Sequence, residues 1–124
     1  MVSIVDDDRA AREALLGLVK SLGFSVRGFA SAKEFMESGC VTQSACLILD
    51  MRMPEITGLE LHRRLTMQGF LVPTILLTAH PDPGLRQRAE HAGIAEYLVK
   101  PPDPEQLLRC LRRVIEPRQS GLEN

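Results

Sequence analysis

The chain has 124 residues, a formal net charge of −1 from 15 basic and 16 acidic residues, 4% aromatic residues and no tryptophan. This length favours one domain, and the even charge balance gives no general attraction to nucleic acid or to an anionic membrane. The scarcity of aromatic side chains disfavours a stacking surface for single-stranded nucleic acid. No apolar stretch approaches the roughly 20 residues that cross a bilayer.

The first residues lack the pattern of a signal peptide, so we expect a cytoplasmic domain. From the charge balance and the composition, we expect no direct contact of this domain with nucleic acid or membrane. Cys40, Cys46 and Cys110 are odd in number and show no metal-ligand spacing. We therefore expect free thiols in a reducing compartment. We also expect these side chains to be buried as small apolar groups.

The first third of the chain alternates apolar runs with helical patterns. Val2 to Val5 is predicted as a short strand, and apolar residues at helical spacing follow it up to Gly23. Residues 24–29 alternate as a second strand does. A capping box at residues 31–34 then opens a second helix, for which Gly39 is a plausible end.

The middle of the chain repeats this order. Residues 45–49 are apolar throughout, as in a strand that is covered on both faces, and the run ends abruptly at Asp50. A second capping box at residues 57–60 opens a helix that continues to Gly69. Residues 73–77 are predicted as the fourth strand, with a proline tolerated at its first position.

Two further helices and one strand complete the pattern. Asp82-Pro83 is an N-cap with a proline in the first turn, residues 95–99 form the fifth strand, and residues 103–106 start a last helix that Pro117 ends. Five such strand–helix units predict right-handed crossovers and an α/β, doubly wound parallel sheet. The pattern alone leaves the strand order open.

Polar side chains follow the apolar runs of the predicted strands. In a parallel sheet the carboxyl ends of the strands share one edge, so these side chains are expected to meet in one crevice. Three carboxylates beside an ammonium group and a hydroxyl group suit a divalent cation and a phosphoryl group. The candidate residues are Asp6, Asp7, Asp50, Thr78, Tyr97 and Lys100.

Each candidate also has a purely structural interpretation. The acidic run of residues 6–8, which ends in Asp8, could cap a helix and complement its dipole. Thr78 could be an ordinary strand residue, and Tyr97 a half-buried core aromatic. Asp50 is harder to explain in this way, because the next helix begins seven residues later and a buried carboxylate needs a partner. Lys100 is its candidate partner, either as a structural ion pair or as a functional ammonium.

Together these motifs resemble the receiver domain of bacterial two-component response regulators. The resemblance rests on residues 5–7 (VDD), 49–54 (LDMRMP), 77–79 (LTA) and 97–101 (YLVKP), in matching order and compatible spacing. It implies a flavodoxin-like or CheY-like sheet of order 2-1-3-4-5. The LDMRMP signature is most similar to receivers of the NarL/FixJ type, which usually precede a helix-turn-helix DNA-binding domain.

The resemblance divides the chain into a receiver domain, residues 1–117, and a polar tail or linker, residues 118–124. It implies Mg²⁺ as the cofactor, for which Mn²⁺ could substitute. Asp50 is then the phosphoacceptor, Asp7 a direct metal ligand, and Asp6 a ligand through water. Asp50 itself and the backbone carbonyl of Arg52 would complete the protein ligands.

The resemblance also assigns the groups around the phosphoryl oxygens. Lys100 and Thr78 would bind these oxygens, and Thr78 and Tyr97 would form the switch. A cis peptide is expected at Lys100-Pro101. We further expect Arg52 and His80, which flank the acceptor, to tune the lifetime of the phosphoryl group.

The expected partner is a sensor histidine kinase, whose phosphohistidine would donate the phosphoryl group. Beyond its own phosphorylation and dephosphorylation, the chain is expected to be a switch and not an enzyme. The switched surface would comprise the fourth helix, fifth strand and fifth helix, which could form a homodimer. Five arginines of the last two helices could serve that interface or form a solvated face: Arg86, Arg88, Arg109, Arg112 and Arg113.

Three other functions share parts of this pattern. An aspartate-nucleophile phosphatase of the haloacid dehalogenase kind would carry its nucleophile after the first strand in a D-x-D pattern, whereas here Arg52 occupies the position of the second acid. A degenerate receiver acting only as an interaction module typically lacks an acid or the lysine. A flavodoxin-like cofactor binder would need a phosphate cradle that the loops lack. We also expect that this is a receiver excised from a longer regulator, with a stand-alone receiver as the alternative.

Overall fold

In the computed structural model, the described backbone covers residues 1–123 and the described side chains cover residues 1–115. Strands and helices alternate strictly along the chain. The strands are β1 (Val2–Val5), β2 (Val26–Phe29), β3 (Cys46–Asp50), β4 (Thr74–Thr78) and β5 (Glu96–Val99). The helices are α1 (Arg9–Ser21), α2 (Ala32–Glu37), α3 (Gly58–Met67), α4 (Pro83–His91) and α5 (Pro104–Glu123).

All neighbouring strands are parallel, in the order β2-β1-β3-β4-β5. This confirms both the α/β doubly wound class and the order that the family resemblance implied. The register pairs Val5 with Leu49, Asp50 with Leu77, and Thr78 with Val99. The strands therefore end level with one another, and the polar residues that follow them share one edge of the sheet.

The sheet is buried on both faces, as the continuous apolar run of β3 predicted. Along β3 the side chains alternate, so that Leu47 and Leu49 pack in one core while Cys46 and Ile48 pack in the other. The first core includes α2, α3 and α4, and the second includes α1 and α5. These two apolar layers hold the strand ends in fixed positions, which gives the polar edge a rigid base.

The helix starts agree with the predicted capping residues. The side chains of Asp8, Ser31, Thr57 and Asp82 accept hydrogen bonds from backbone N–H groups in the first turns of α1, α2, α3 and α4. Each cap satisfies a backbone donor that has no partner inside its helix.

The third, fourth and fifth strands each begin one residue later than predicted, so that Pro73 precedes β4 instead of opening it. Two other predicted boundaries are wrong by two residues or more. The second strand begins at Val26 and not at residue 24, because the backbone N–H of Phe24 donates to the Val19 carbonyl and belongs to the turn that ends α1. Helix α5 continues past Pro117 to Glu123. An interior proline removes one helical hydrogen bond and can kink a helix without ending it. The polar-tail prediction for residues 118–124 concerns side chains outside the described ones.

The three cysteines are free and buried, as predicted. Burial raises the pKa of the Cys46 thiol to about 12, and burial also raises the pKa of Cys110. Thiols that stay protonated at neutral pH are poor nucleophiles and metal ligands. In the described part of the chain, no helix combines the length and apolarity needed to cross a membrane.

His62 predicts a specific pH dependence of stability. Its buried ring lies between the Thr74 hydroxyl, 2.9 Å from Nδ1, and the Ala92 carbonyl, to which Nε2 donates at 3.0 Å. Burial lowers the pKa of His62 from 6.5, although the bond to Ala92 opposes this shift. The unfolded chain therefore binds a proton more readily than the folded chain does.

We accordingly expect His62 to contribute stability that is complete above pH 6.5 and is lost as the pH falls below that value. Urea unfolding at several pH values should show a weaker loss on acidification for His62→Gln than for the wild type. His91→Gln is the matched control, because His91 is exposed and, among the described residues, bonds only to the Gln87 carbonyl of its own helix. Equal acid sensitivity of His62→Gln and the wild type would contradict the assignment.

Candidate functional site

A lysine bridges two carboxylates at the carboxyl edge of the sheet. The Lys100 ammonium donates to Asp6 Oδ2 at 2.7 Å and lies 3.1 Å from Asp50 Oδ1. The side chain of Asp6 is 2% exposed, that of Asp50 11% and that of Lys100 20%. The sequence predicted Asp50 as the lysine's partner; the structure adds Asp6, 94 positions away in the chain.

Asp6 is held through all of its polar groups. Its backbone N–H donates to the Phe29 carbonyl at 3.1 Å, and its backbone carbonyl accepts from Arg12 Nη1 at 2.8 Å. Asp6 Oδ1 accepts from the backbone N–H of Asp8 at 3.0 Å, while Oδ2 accepts from Lys100. A nearly fully buried carboxylate needs this degree of pairing to remain charged.

Asp6, Asp7 and Asp50 form a carboxylate cluster. One oxygen from each lies within 4.8 Å of the other two, with Asp6 buried, Asp50 half-buried and Asp7 exposed. Hard cations such as Mg²⁺ prefer oxygen ligands and usually retain waters beside one or two carboxylates. The cluster offers such ligands, and Asp7 leaves one side open to solvent.

Burial and the neighbouring charges shift the pKa values of Asp50 and Lys100. Burial and the neighbouring charge of Asp6 raise the pKa of Asp50, although the hydrogen bond from Lys100 acts in the opposite direction. Burial alone would lower the pKa of Lys100, but its bonds to Asp6 and Asp50 outweigh burial and raise it. The single ammonium thus stays charged, and a further cation would relieve the repulsion that remains among the carboxylates.

Thr78 and Tyr97 both contact the loop between β4 and α4. Thr78 is 2% exposed, and its hydroxyl oxygen accepts from the backbone N–H of His80 at 3.1 Å. The Tyr97 hydroxyl oxygen accepts from the backbone N–H of Asp82 in a long bond of 3.4 Å. Pro81 and Pro83 have no N–H group. The loop donates to Thr78 and Tyr97 from His80 and Asp82, the residues on either side of Pro81.

Two further candidates follow strand ends at this edge. Arg52 and His80 are exposed in the loops that follow β3 and β4. The Lys100-Pro101 peptide is cis, as expected. Of the five arginines noted on the last two helices, Arg86 lies over the Tyr97 ring at 5.9 Å and 3.8 Å from Glu90, and Arg113 donates to Glu96 at 2.6 Å.

Two residues of the site were missed from the sequence. Arg12 contacts the Asp6 carbonyl from the second turn of α1, and nothing in the sequence separates it from a surface arginine. Gly58 is the first residue of α3, and a Cβ atom built on it would lie 2.5 Å from the Asp50 carbonyl oxygen. The loop of seven residues between Asp50 and this helix gave no sign that the helix returns to the strand end.

Comparison with known proteins gives a consistent result. A family model described as the response regulator receiver domain matches residues 2–112. The chain is 38% identical over 124 residues to the response regulator protein TmoT of Ectopseudomonas mendocina, covering 100% of this chain and 56% of TmoT. It is 37% identical over 111 residues to the transcriptional regulatory protein FixJ of Azorhizobium caulinodans, covering 90% of this chain and 53% of FixJ.

The fold is also that of solved receivers. The structure of the Vibrio cholerae chemotaxis protein CheY4 matches with a TM-score of 0.82 and 30% identity, covering 91% of this chain and 96% of CheY4. By contrast, the chain spans about half the length of the curated relatives TmoT and FixJ.

Proposed function

The chain belongs to the response regulator receiver domains of two-component systems, and on that premise we propose that Asp50 accepts a phosphoryl group from the phosphohistidine of a sensor histidine kinase. The observation that carries this proposal is the Lys100 ammonium, which lies within 3.1 Å of carboxylates from two different strand ends. A structural ion pair needs only one acid. Lys100 between two acids, with a third acid beside them, leaves an excess of negative charge that would bind a divalent cation. The ammonium and that cation together could then offset the charge of an incoming phosphoryl group.

The residues fit the magnesium ion that the family implies. Three carboxylates with oxygens inside 4.8 Å supply hard ligands, and the backbone carbonyl of Arg52, two residues past Asp50, would add a neutral one. Asp7 would bind directly, with Asp6 through water. Bound at this site, Mg²⁺ would neutralise charge on the carboxylates and on the incoming phosphoryl oxygens.

The chain's own groups would position the reaction. Lys100 fixes Asp50 Oδ1 and offsets the repulsion between a carboxylate and an anionic phosphoryl group. The P–N bond to the donor imidazole breaks while a P–O bond to Asp50 forms, which gives an acylphosphate and a free histidine. Hydrolysis of that acylphosphate by water returns the carboxylate, so the chain would catalyse only its own phosphorylation and dephosphorylation.

Thr78 and Tyr97 would transmit the change. A phosphoryl group on Asp50 adds charge and acceptor oxygens. The Thr78 hydroxyl can rotate toward these oxygens and donate to them, and that rotation would break the bond that it accepts from His80. Tyr97 can then turn inward and release the backbone N–H of Asp82. Both bonds that hold the loop between β4 and α4 would thus be exchanged in one step, which biases the α4-β5-α5 surface.

The proposed partners follow from this surface and from the relatives. Val99 on the edge strand β5 is 46% exposed, which suits a phosphorylation-dependent homodimer through α4-β5-α5. Because TmoT and FixJ are about twice as long, we propose that residues 1–117 are the receiver and that 118–124 begin a linker to a DNA-binding output domain. Size measurement with and without beryllofluoride and Mg²⁺ tests the dimer.

The phosphorylation proposal is tested by incubating the chain with acetyl phosphate and Mg²⁺ and recording its intact mass. We expect a gain of one phosphoryl group that requires Mg²⁺ and disappears in Asp50→Asn. Asp103→Asn is the matched control. Asp103 also follows a strand end, that of β5, but its carboxylate accepts from the backbone N–H of Gln106 in the first turn of α5. No mass gain in the wild type would favour an interaction module, and continuous release of phosphate from small phosphomonoesters would favour a phosphatase.

Arg52 and His80 give a separate prediction. Both are exposed and follow the strand ends that carry Asp50 and Thr78, so their side chains are placed to influence the water that attacks the acylphosphate. We expect Arg52→Ala and His80→Ala to change the rate of autodephosphorylation by a few-fold, measured as loss of the added mass after removal of the donor. Unchanged rates in both variants would reject this role.

A further inference from the structure

We propose that Arg12 is a positioning residue of the metal site, which acts by fixing the peptide that joins Asp6 to Asp7. Arg12 Nη1 donates to the Asp6 carbonyl at 2.8 Å, and the arginine is half-buried in the second turn of α1. This inference rests on the proposal that Asp7 binds Mg²⁺ directly. It assigns a role that neither the motifs nor the carboxylate cluster itself gives to any basic residue.

Asp7 needs such support because its own side chain has little. It is exposed, and among the described residues no hydrogen bond or ion pair of its carboxylate is found. Asp6, by contrast, is held at both carboxylate oxygens and at its backbone N–H. The position of the Asp7 carboxylate therefore depends on its backbone.

The orientation of the Asp6 carbonyl determines the orientation of the peptide that precedes Asp7. In a planar peptide, the carbonyl of Asp6 and the N–H of Asp7 share one plane, so a bond that fixes the carbonyl also fixes the direction in which the Asp7 Cα leaves β1. Arg12 supplies that bond from a helix packed against the sheet. Without it, the peptide could rotate between the end of β1 and the N-cap of α1, and the Asp7 oxygen would leave the cluster.

Charge alone predicts the opposite effect, which makes the inference testable. Arg12 is a cation beside an acidic cluster, so its removal should strengthen the binding of Mg²⁺ if only Coulomb repulsion acts. A positioning role predicts weaker binding, because groups that orient metal ligands typically contribute about 10-fold to 100-fold in affinity. The two explanations therefore differ in sign.

Titration of Mg²⁺ by calorimetry, without any phosphodonor, distinguishes them. We expect Arg12→Ala to weaken Mg²⁺ binding by about ten-fold and Arg12→Lys, which keeps the charge and a donor, to recover part of the loss. Arg9→Ala is the matched control. Arg9 lies on the same helix, but it is exposed, and within the part of the chain that the structure describes it pairs only with Glu13, at 3.1 Å. The variant should therefore bind as tightly as the wild type or slightly more tightly.

A double-mutant cycle with Asp7→Asn isolates the route of the effect. If Arg12 acts through Asp7, Arg12→Ala should no longer weaken binding in the Asp7→Asn background. Urea unfolding of each variant confirms that it is folded under the titration conditions. Equal or tighter binding by Arg12→Ala would overturn the positioning role while leaving the metal site intact, whereas absence of Mg²⁺ binding by the wild type would overturn the proposed function itself.

Discussion

Replacing Lys100 with methionine is expected to slow phosphorylation of the chain by at least 100-fold and to destabilise the metal-free protein by about 2–3 kcal/mol. The substitution leaves the carboxylates of Asp6 and Asp50 close together without the ammonium that contacts both. The penalty stays below that of a fully buried pair because the Lys100 side chain is 20% exposed. Urea unfolding and the rate of mass gain from acetyl phosphate measure the two effects.

A second substitution separates the effect of Lys100 on stability from its effect on phosphorylation. Adding Asp6→Asn to Lys100→Met removes one of the two repelling charges, so much of the lost stability should return while phosphorylation stays slow. Lys33→Met is the matched control, because Lys33 is an exposed lysine in α2 and should alter neither quantity appreciably. If Lys100→Met were as stable and as rapidly phosphorylated as Lys33→Met, the bridging role of the ammonium would be wrong.

Gly58→Ala is expected to destabilise the protein by about 1–3 kcal/mol and to slow phosphorylation at the same time. The new methyl group would lie 2.5 Å from the Asp50 carbonyl oxygen and 2.9 Å from Leu76 Cδ1. The Asp50 backbone or the start of α3 must then move, and the acceptor carboxylate moves with it. Unfolding in urea and acetyl phosphate kinetics again provide the measurements.

Gly17→Ala serves as the comparison for this effect. Gly17 lies inside α1, and its added Cβ would meet no atom within 4 Å. It should stabilise the protein by about 0.5–1 kcal/mol through helix propensity, with no effect on phosphorylation. An unperturbed Gly58→Ala variant would show that the close approach of α3 to Asp50 imposes no constraint.

The sequence alone predicted the strands, the helix starts and the residues that meet at the strand ends. The apolar run before Asp50 predicted a strand covered on both faces, and the capping residues Ser31, Thr57 and Asp82 marked where helices begin. Because parallel strands end at one edge, the meeting of Asp6, Asp50 and Lys100 also followed from their positions.

Other features could not be found in this way, because they depend on contacts between distant backbone atoms. The bond from Arg12 to the Asp6 carbonyl and the contact of Gly58 with Asp50 leave no periodic signal. The same holds for the strand order, which the apolar pattern left open and only the family resemblance supplied. Pro117 shows the reverse case, where a strong local signal failed because α5 continues through it.

The loop between β4 and α4 illustrates what the structure adds to the proposed switch. Its prolines were visible in the sequence, but not the way in which the N–H groups of His80 and Asp82 are used. His80 donates to Thr78 and Asp82 donates to Tyr97, so each switch residue already holds the loop in this state. If Thr78 and Tyr97 form the switch that we propose, activation would exchange these existing hydrogen bonds for new ones.

The central claim, that Asp50 carries the phosphoryl group, is tested most directly by chemical trapping. Borohydride reduces an acylphosphate of aspartate to homoserine, so the phosphorylated chain can be reduced, digested and sequenced by mass spectrometry. We predict homoserine at position 50 and at no other aspartate, dependent on Mg²⁺ and on the phosphodonor. Homoserine at Asp6 or Asp7, or its absence from a chain that has gained phosphoryl mass, would contradict the assignment.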